Sequence, residues 1–134
     1  MKPGILFVCL GNSCRSIMAE ALTRHYLGDS VTAASAGLNP LGFITPETLQ
    51  VLIELGIEVE GLYSKGLSHV DPEAYSLLIN LTSRPVTFSL PPDCRHRLRN
   101  RPVPDPYGGP LELYRQCRDR IRELIISELA ALFH

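Results

Sequence analysis

The chain has 134 residues, the size of one domain with one buried core. A composition of 45% apolar and 20% charged residues excludes a disordered acidic chain and a collagen-like one. Thirteen basic against fourteen acidic residues leave a net charge of −1, so no whole-molecule field draws the protein to nucleic acid or to an anionic membrane, and any anion has to be held by a local site.

No repeat, low-complexity tract or linker divides the sequence, and a single domain over residues 1–134 is expected. The apolar run Ile5 to Leu10 stops at a polar Gly-Asn-Ser and follows no basic leader of signal-peptide length. No segment approaches the roughly eighteen apolar residues of a membrane span, so the expected location is the cytoplasm. Four cysteines in such a chain are poorly explained as a disulfide framework.

In chain order, Ile5-Leu6-Phe7-Val8 reads as a first strand covered on both faces. Ser16 to Leu27 follows as a helix with Met18, Ala19, Leu22 and Tyr26 on one face and Gly28 as its stop. Val31 to Ala36 is a second strand. Thr45-Pro46 then supplies an N-cap and a first helical residue, and Leu49, Leu52, Ile53 and Ile57 continue that helix's apolar side. Pro72 to Tyr75 predicts a short helical turn and Leu77 to Leu81 a third strand. Three prolines between Ser83 and Pro92 oppose a long helix, and Arg95 to Val103 reads as a fourth strand with a basic face. The stretch 104–110 is a loop, and Leu111 to Phe133 a long helix with Leu113, Cys117, Ile121, Leu124 and Ile125 inward. This alternation predicts an α/β three-layer sandwich around a four-stranded parallel sheet, with flavodoxin-like doubly wound topology. Ligands of such sheets bind at the carboxyl ends of the strands, where the loop after the first strand lies.

That loop, Cys9-Leu10-Gly11-Asn12-Ser13-Cys14-Arg15-Ser16, joins a buried strand to a helix N-terminus and suits an oxyanion. Successive backbone N–H groups in a tight loop form an anion-binding concavity, and the helix end adds partial positive charge. Gly11 lets the backbone turn closely, and Arg15, six residues after Cys9, can grip two phosphate oxygens. The same field favours Cys9 as thiolate, with the Ser16 hydroxyl donating to it. Far along the chain, Asp105 in the Pro-rich loop can give a proton to a leaving oxygen, although Asp before Pro is also ordinary turn chemistry.

Together these residues resemble the low-molecular-weight protein tyrosine phosphatase family and the arsenate reductases built on the same fold. The resemblance runs through Cys9 to Ser16, Met18-Ala19-Glu20-Ala21, Ser35-Ala36-Gly37 and Asp105-Pro106-Tyr107. It implies a hydrolase in which Cys9 forms a cysteinyl-phosphate, Arg15 binds the phosphoryl oxygens and Asp105 serves as acid and then as base. It further implies that Leu10, Gly11, Asn12, Ser13, Cys14 and Ser16 form the phosphate-binding loop, with Asn12 bracing it. Tyr107 would wall the pocket and Ser35 would bond to the loop from behind. No metal or cofactor is implied. The implied partners are a phosphorylated protein or small phosphomonoester, with inorganic phosphate or other oxyanions as ligands, and neither nucleic acid nor membrane.

The chain departs from the family at several points. Ile17 replaces a usual Pro, Leu62 stands where a His often orients the loop Asn, Leu81-Thr82 replaces Met-Asp, and Leu38 to Phe43 lacks the Trp that often walls the pocket. Thioredoxin-linked arsenate reductases relay oxidation through two further cysteines, which here align with Thr82 and Ser89. Cys94 is the one thiol that a shifted loop would present there. A reductase using an external thiol needs only Cys9, and a phosphate-binding module without catalysis needs only the cradle. Cys14, five residues from Cys9, is a candidate for redox protection of the nucleophile, the alternative being that it fills space beneath the loop. Cys117 reads as a small core hydrophobe. Arg95, His96, Arg97, Arg99 and Arg101 place charge near the active edge or form a solvated face, and the arginines of the last helix read as exposed ion pairs.

Overall fold

In the computed structural model, which describes residues 2–133, the first apolar run forms β1, Gly4–Cys9, buried over its whole length. β2, Thr32–Gly37, lies on one side of it and β3, Leu77–Asn80, on the other, with β4, Leu98–Asn100, outside β3. All pairings are parallel, and Cys9 stands opposite Gly37. The side-chain alternation of β1 explains its unbroken apolarity. Ile5 and Phe7 join one cluster with Met18, Leu22, Leu52 and Ile121, while Leu6 and Val8 join another with Leu78, Val86, Leu90 and Cys94.

The first cluster is roofed by α1, Arg15–Leu27, α2, Pro46–Ile53, and α3, Leu111–Glu123. Its α1 segment is buried from Arg15 to Thr23 on every side, because the helix sits centrally between the sheet, α2 and α3. The second face carries only short 3₁₀ turns, among them Leu67–His69, Thr87–Ser89 and Pro92–Arg97, so that layer of the sandwich is thin. The predicted N-cap of α2 is present: Thr45 accepts from the Thr48 amide, and Pro46 takes the first helical position.

Three expectations are corrected. The fourth strand is only three residues long, because Pro91-Pro92 seeds a 3₁₀ turn that buries Cys94 and consumes Arg95 to Arg97. The last helix is not one α-helix to Phe133. It widens into a π-helical turn, Leu124–Leu129, where the Ser127 hydroxyl donates to the Glu123 carbonyl and competes for a backbone acceptor. Its inward face is set by Tyr114, Cys117, Ile121 and Ile125, while Leu113 is exposed and lies against the Gly109 turn. Tyr26 and Ile53, assigned to apolar faces from the sequence, are also exposed. Among the described residues no helix is long and apolar enough to cross a membrane.

Candidate active site

The Cys9–Ser16 loop leaves the carboxyl end of β1 and runs into α1, held from outside by its own carbonyls. Cys9, Leu10, Gly11 and Ser13 accept from the amides of Leu38, Asn39, Leu41 and Thr45. Gly11 also accepts from the Ser64 hydroxyl, and Ser13 from the Thr48 hydroxyl. Since the C=O and N–H of a trans peptide point in opposite directions, tying these carbonyls to the scaffold turns several loop N–H groups toward the pocket. The N-cap of α1, Cys14, makes no side-chain cap and the first turn holds no acid, which leaves the terminal N–H groups available to an anion.

The sharp backbone position is Asn12, with φ of 47°, and not Gly11. A Cβ on Gly11 would press only on the flexible Leu41 side chain, with the Ser13 hydroxyl at ordinary contact distance. Gly37 is more restrictive: a Cβ there would lie 2.8 Å from the Leu10 carbonyl oxygen and 2.9 Å from the Asn12 nitrogen, so the close approach of β2 to the loop requires glycine.

Cys9 is buried, with Sγ 2.8 Å from the Ser16 hydroxyl. The Asn12 side-chain amide donates to that hydroxyl at 2.7 Å, which leaves the hydroxyl proton free to turn toward sulfur. The other Asn12 N–H donates to Ser35 at 3.0 Å, and its oxygen accepts from the Lys65 amide at 2.8 Å. The brace expected of a His is thus supplied by a backbone N–H three residues beyond Leu62. Ser35 in turn donates to Glu20 at 2.5 Å, and Glu20, itself buried, pairs with Arg24 at 2.7 Å and Lys65 at 3.6 Å. Nothing in the residue type or spacing of Glu20 gives it this role. Its only signal was an (i, i+4) pairing with Arg24, which reads as a surface feature.

Arg15 is buried, donating to the carbonyls of Leu81 at 3.3 Å and Val103 at 3.1 Å, with its other terminal nitrogen 3.4 Å from Asp105. Asp105 makes the turn contact expected of an Asp before Pro and also reaches the loop. One oxygen accepts from the Tyr107 amide at 3.0 Å and stabilises the turn, and the other faces Arg15. A cavity of about 160 Å³ is lined by Cys9, Leu10, Gly11, Ser13, Cys14, Arg15 and Asp105, with Asn39, Leu41 and Tyr107 as the remaining wall. Asn12, Ser16 and Ser35 lie fully buried behind the loop and not on the cavity surface.

The other thiols are apart from this surface. Cys94 is buried among Leu6, Val8 and Leu90 on the opposite face of the sheet, where burial pushes its thiol pKa up. Cys117 lies in the main core, where burial pushes its thiol up to about 12. The basic run is also displaced. Arg97 donates to the carbonyls of Glu73 and Tyr75 at the amino end of β3, so this run flanks the end of the sheet opposite the loop, and Arg101, near the loop's end, is paired with Glu128. No group of three or more His, Cys, Asp or Glu able to hold a metal occurs among the described residues.

An arsenate reductase of Bacillus cereus (strain Q1) is 35% identical over 92% of this chain and 92% of its own length. A protein-arginine-phosphatase of Bacillus subtilis (strain 168) is 32% identical over 90% of this chain and 91% of its own. The solved structure of an arsenate reductase in the phosphate binding state superposes with a TM-score of 0.86, at 28% identity and full coverage of both chains. Residues 4–133 match the sequence profile of the low molecular weight phosphotyrosine protein phosphatases, and the chain belongs to that family.

Proposed function

We propose that the protein is a cysteine-dependent phosphomonoesterase, with Cys9 as nucleophile, Arg15 as the clamp on the phosphoryl oxygens and Asp105 as the proton carrier. The observation that carries this reading is the convergence of these three side chains, from a strand end, a helix start and a distant loop, on one cavity of about 160 Å³. In the first half-reaction Cys9 Sγ attacks phosphorus, the P–O bond to the leaving group breaks, and the leaving oxygen takes a proton from Asp105. In the second, water attacks phosphorus, Asp105 takes a water proton, and the S–P bond breaks to release inorganic phosphate and the thiolate. Loop N–H groups and Arg15 would stabilise the equatorial oxygens throughout.

The substrate is read as a phosphorylated protein or a small phosphomonoester, and four unpaired cysteines suit a reducing cytoplasm. The apolar wall of Leu41 and Tyr107 accommodates the stem of the phosphorylated residue. The similarity to a protein-arginine-phosphatase makes phosphoarginine a substrate to be compared with phosphotyrosine. A second reading, favoured by the 35% identical arsenate reductase, has Cys9 attack arsenate with an external thiol completing the reduction. Cys94, buried across the sheet from the loop, is poorly placed for an internal relay.

The test is steady-state hydrolysis of p-nitrophenyl phosphate and of phosphotyrosine and phosphoarginine peptides. Cys9→Ser is expected to abolish turnover while still binding phosphate. Asp105→Asn is expected to slow it by about a hundredfold, less on activated aryl esters. Substantial turnover by Cys9→Ser would overturn the mechanism.

A further inference from the structure

Two arginines outside the Arg95–Arg101 run carry charge at the active edge. Arg84 follows the carboxyl end of β3, and Arg120 projects from α3. With Arg15 and Asp105 they line a cleft of about 480 Å³. Leu10, Arg15 and Asp105 line both this cleft and the smaller cavity beside Cys9, so the two spaces adjoin.

Five of the chain's eleven guanidinium groups are paired with carboxylates: Arg15 with Asp105, Arg24 with Glu20, Arg101 with Glu128, Arg115 with Glu54, and Arg118 with Glu54 and Asp119. No acceptor for the Arg84 or Arg120 guanidinium occurs among the described residues. Arg84 nevertheless stands on a fixed platform. Its carbonyl accepts from the buried Asn80 side chain at 2.7 Å and from the Thr82 hydroxyl at 3.1 Å, and its amide donates back to Thr82 at 3.1 Å. Asp105 is the one carboxylate in the cleft and already faces Arg15, so three cations meet a single anion there.

We infer that the Arg84–Arg120 cleft is a subsite for a second anionic group, carried on the substrate beside the phosphoryl group, so that phosphorylated segments with an acidic neighbour are the preferred substrates. This rests on the phosphatase reading and specifies its substrate. The site is two-sided. Leu41 and Tyr107 offer an apolar wall on one flank, and Arg84 and Arg120 offer charge on the other. A phosphorylated residue seated over Cys9 would direct its own stem to the first flank and a neighbouring carboxylate to the second. Guanidinium forks match a carboxylate or phosphoryl oxygen pair bidentately, and both are exposed, so the gain is moderate and salt-sensitive.

The experiment compares two phosphopeptides that differ only in having Glu or Gln beside the phosphorylated residue. Wild type is expected to show a kcat/KM about three- to tenfold higher for the Glu peptide at low ionic strength, arising in KM, with the ratio shrinking as salt is raised. Arg84→Ala/Arg120→Ala should bring the ratio to about one. Arg84→Glu/Arg120→Glu should invert it in favour of a Lys-flanked peptide. Affinity of Cys9→Ser for the same peptides, read by fluorescence anisotropy, gives the comparison without turnover. Absence of hydrolysis with a preserved Glu-over-Gln affinity ratio would sink the phosphatase reading and support the subsite. Equal constants for the two peptides in wild type, or an unchanged ratio in the double alanine variant, would overturn the subsite.

Discussion

Replacing Glu20 by alanine should damage the protein far more than the loss of an ordinary helix-surface charge. The carboxylate is 2% exposed, accepts the Ser35 hydroxyl at 2.5 Å, and faces Lys65, whose side chain is only 10% exposed. Its pair with Arg24 adds little, since that guanidinium is half in water. Removing one partner of a buried pair leaves an uncompensated charge on Lys65 and an unsatisfied hydroxyl on Ser35, a cost of about 3–5 kcal/mol. In a chain of this size that lowers Tm by about 10–20 °C. Glu20→Gln keeps an acceptor for Ser35 and should lose only about half as much. Because Ser35 holds Asn12, and Asn12 holds Ser16 against Cys9, kcat should fall in both variants at temperatures where they remain folded. Thermal and urea melts with parallel p-nitrophenyl phosphate assays read both effects. A Glu20→Ala protein melting within a few degrees of wild type, with unaltered kcat, would refute the reasoning.

With thioredoxin as sole reductant, multiple-turnover arsenate reduction should be negligible, because the relay positions hold Thr82 and Ser89; sustained arsenite production overturns this ranking. Peroxide should inactivate wild type in a way that dithiothreitol reverses, through a Cys9–Cys14 bridge, whereas Cys14→Ser should be lost irreversibly; peptide mass spectrometry showing equal recovery, or a bridge to Cys94, decides against it. The Cys117 thiol, pushed up to about 12 by burial, keeps its proton in the folded chain after the unfolded chain has lost it. Its contribution is therefore complete below about pH 9 and is lost as pH rises toward 12, so Cys117→Val should flatten the alkaline limb of a stability profile followed by urea melts.

The residues on the cavity wall were legible because loop chemistry needs particular types at a particular spacing between a strand and a helix. The support behind them was not. Glu20 is charged and lies on a helix, and helical periodicity assigns such residues to solvent, yet the first turns of α1 are enclosed on all sides. The Asn12 brace passed from a side chain to the Lys65 backbone amide, and a backbone donor has no signature in residue types. Gly37 was recognised only as part of a motif, since the contact it permits is between two backbones distant in sequence. The basic run read either as charge near the active edge or as a solvated face, and a double proline that shortens β4 puts Arg95 to Arg97 at the far end of the sheet.

On the proposed phosphate-binding reading, the uncapped start of α1 would also make the protein's stability depend on the anions in its solution. A helix that opens with a cation, Arg15, and without a capping acceptor places like charge against the positive end of its own dipole. An oxyanion bound there would relieve that repulsion only in the folded chain and so act as a linked stabiliser. Inorganic phosphate at a hundred times its Kd adds about 2.7 kcal/mol to unfolding. Melting temperatures measured in phosphate, sulfate or arsenate will consequently exceed those in an amine buffer at equal ionic strength. A variant that loses the cradle will look destabilised in the first set of buffers and ordinary in the second.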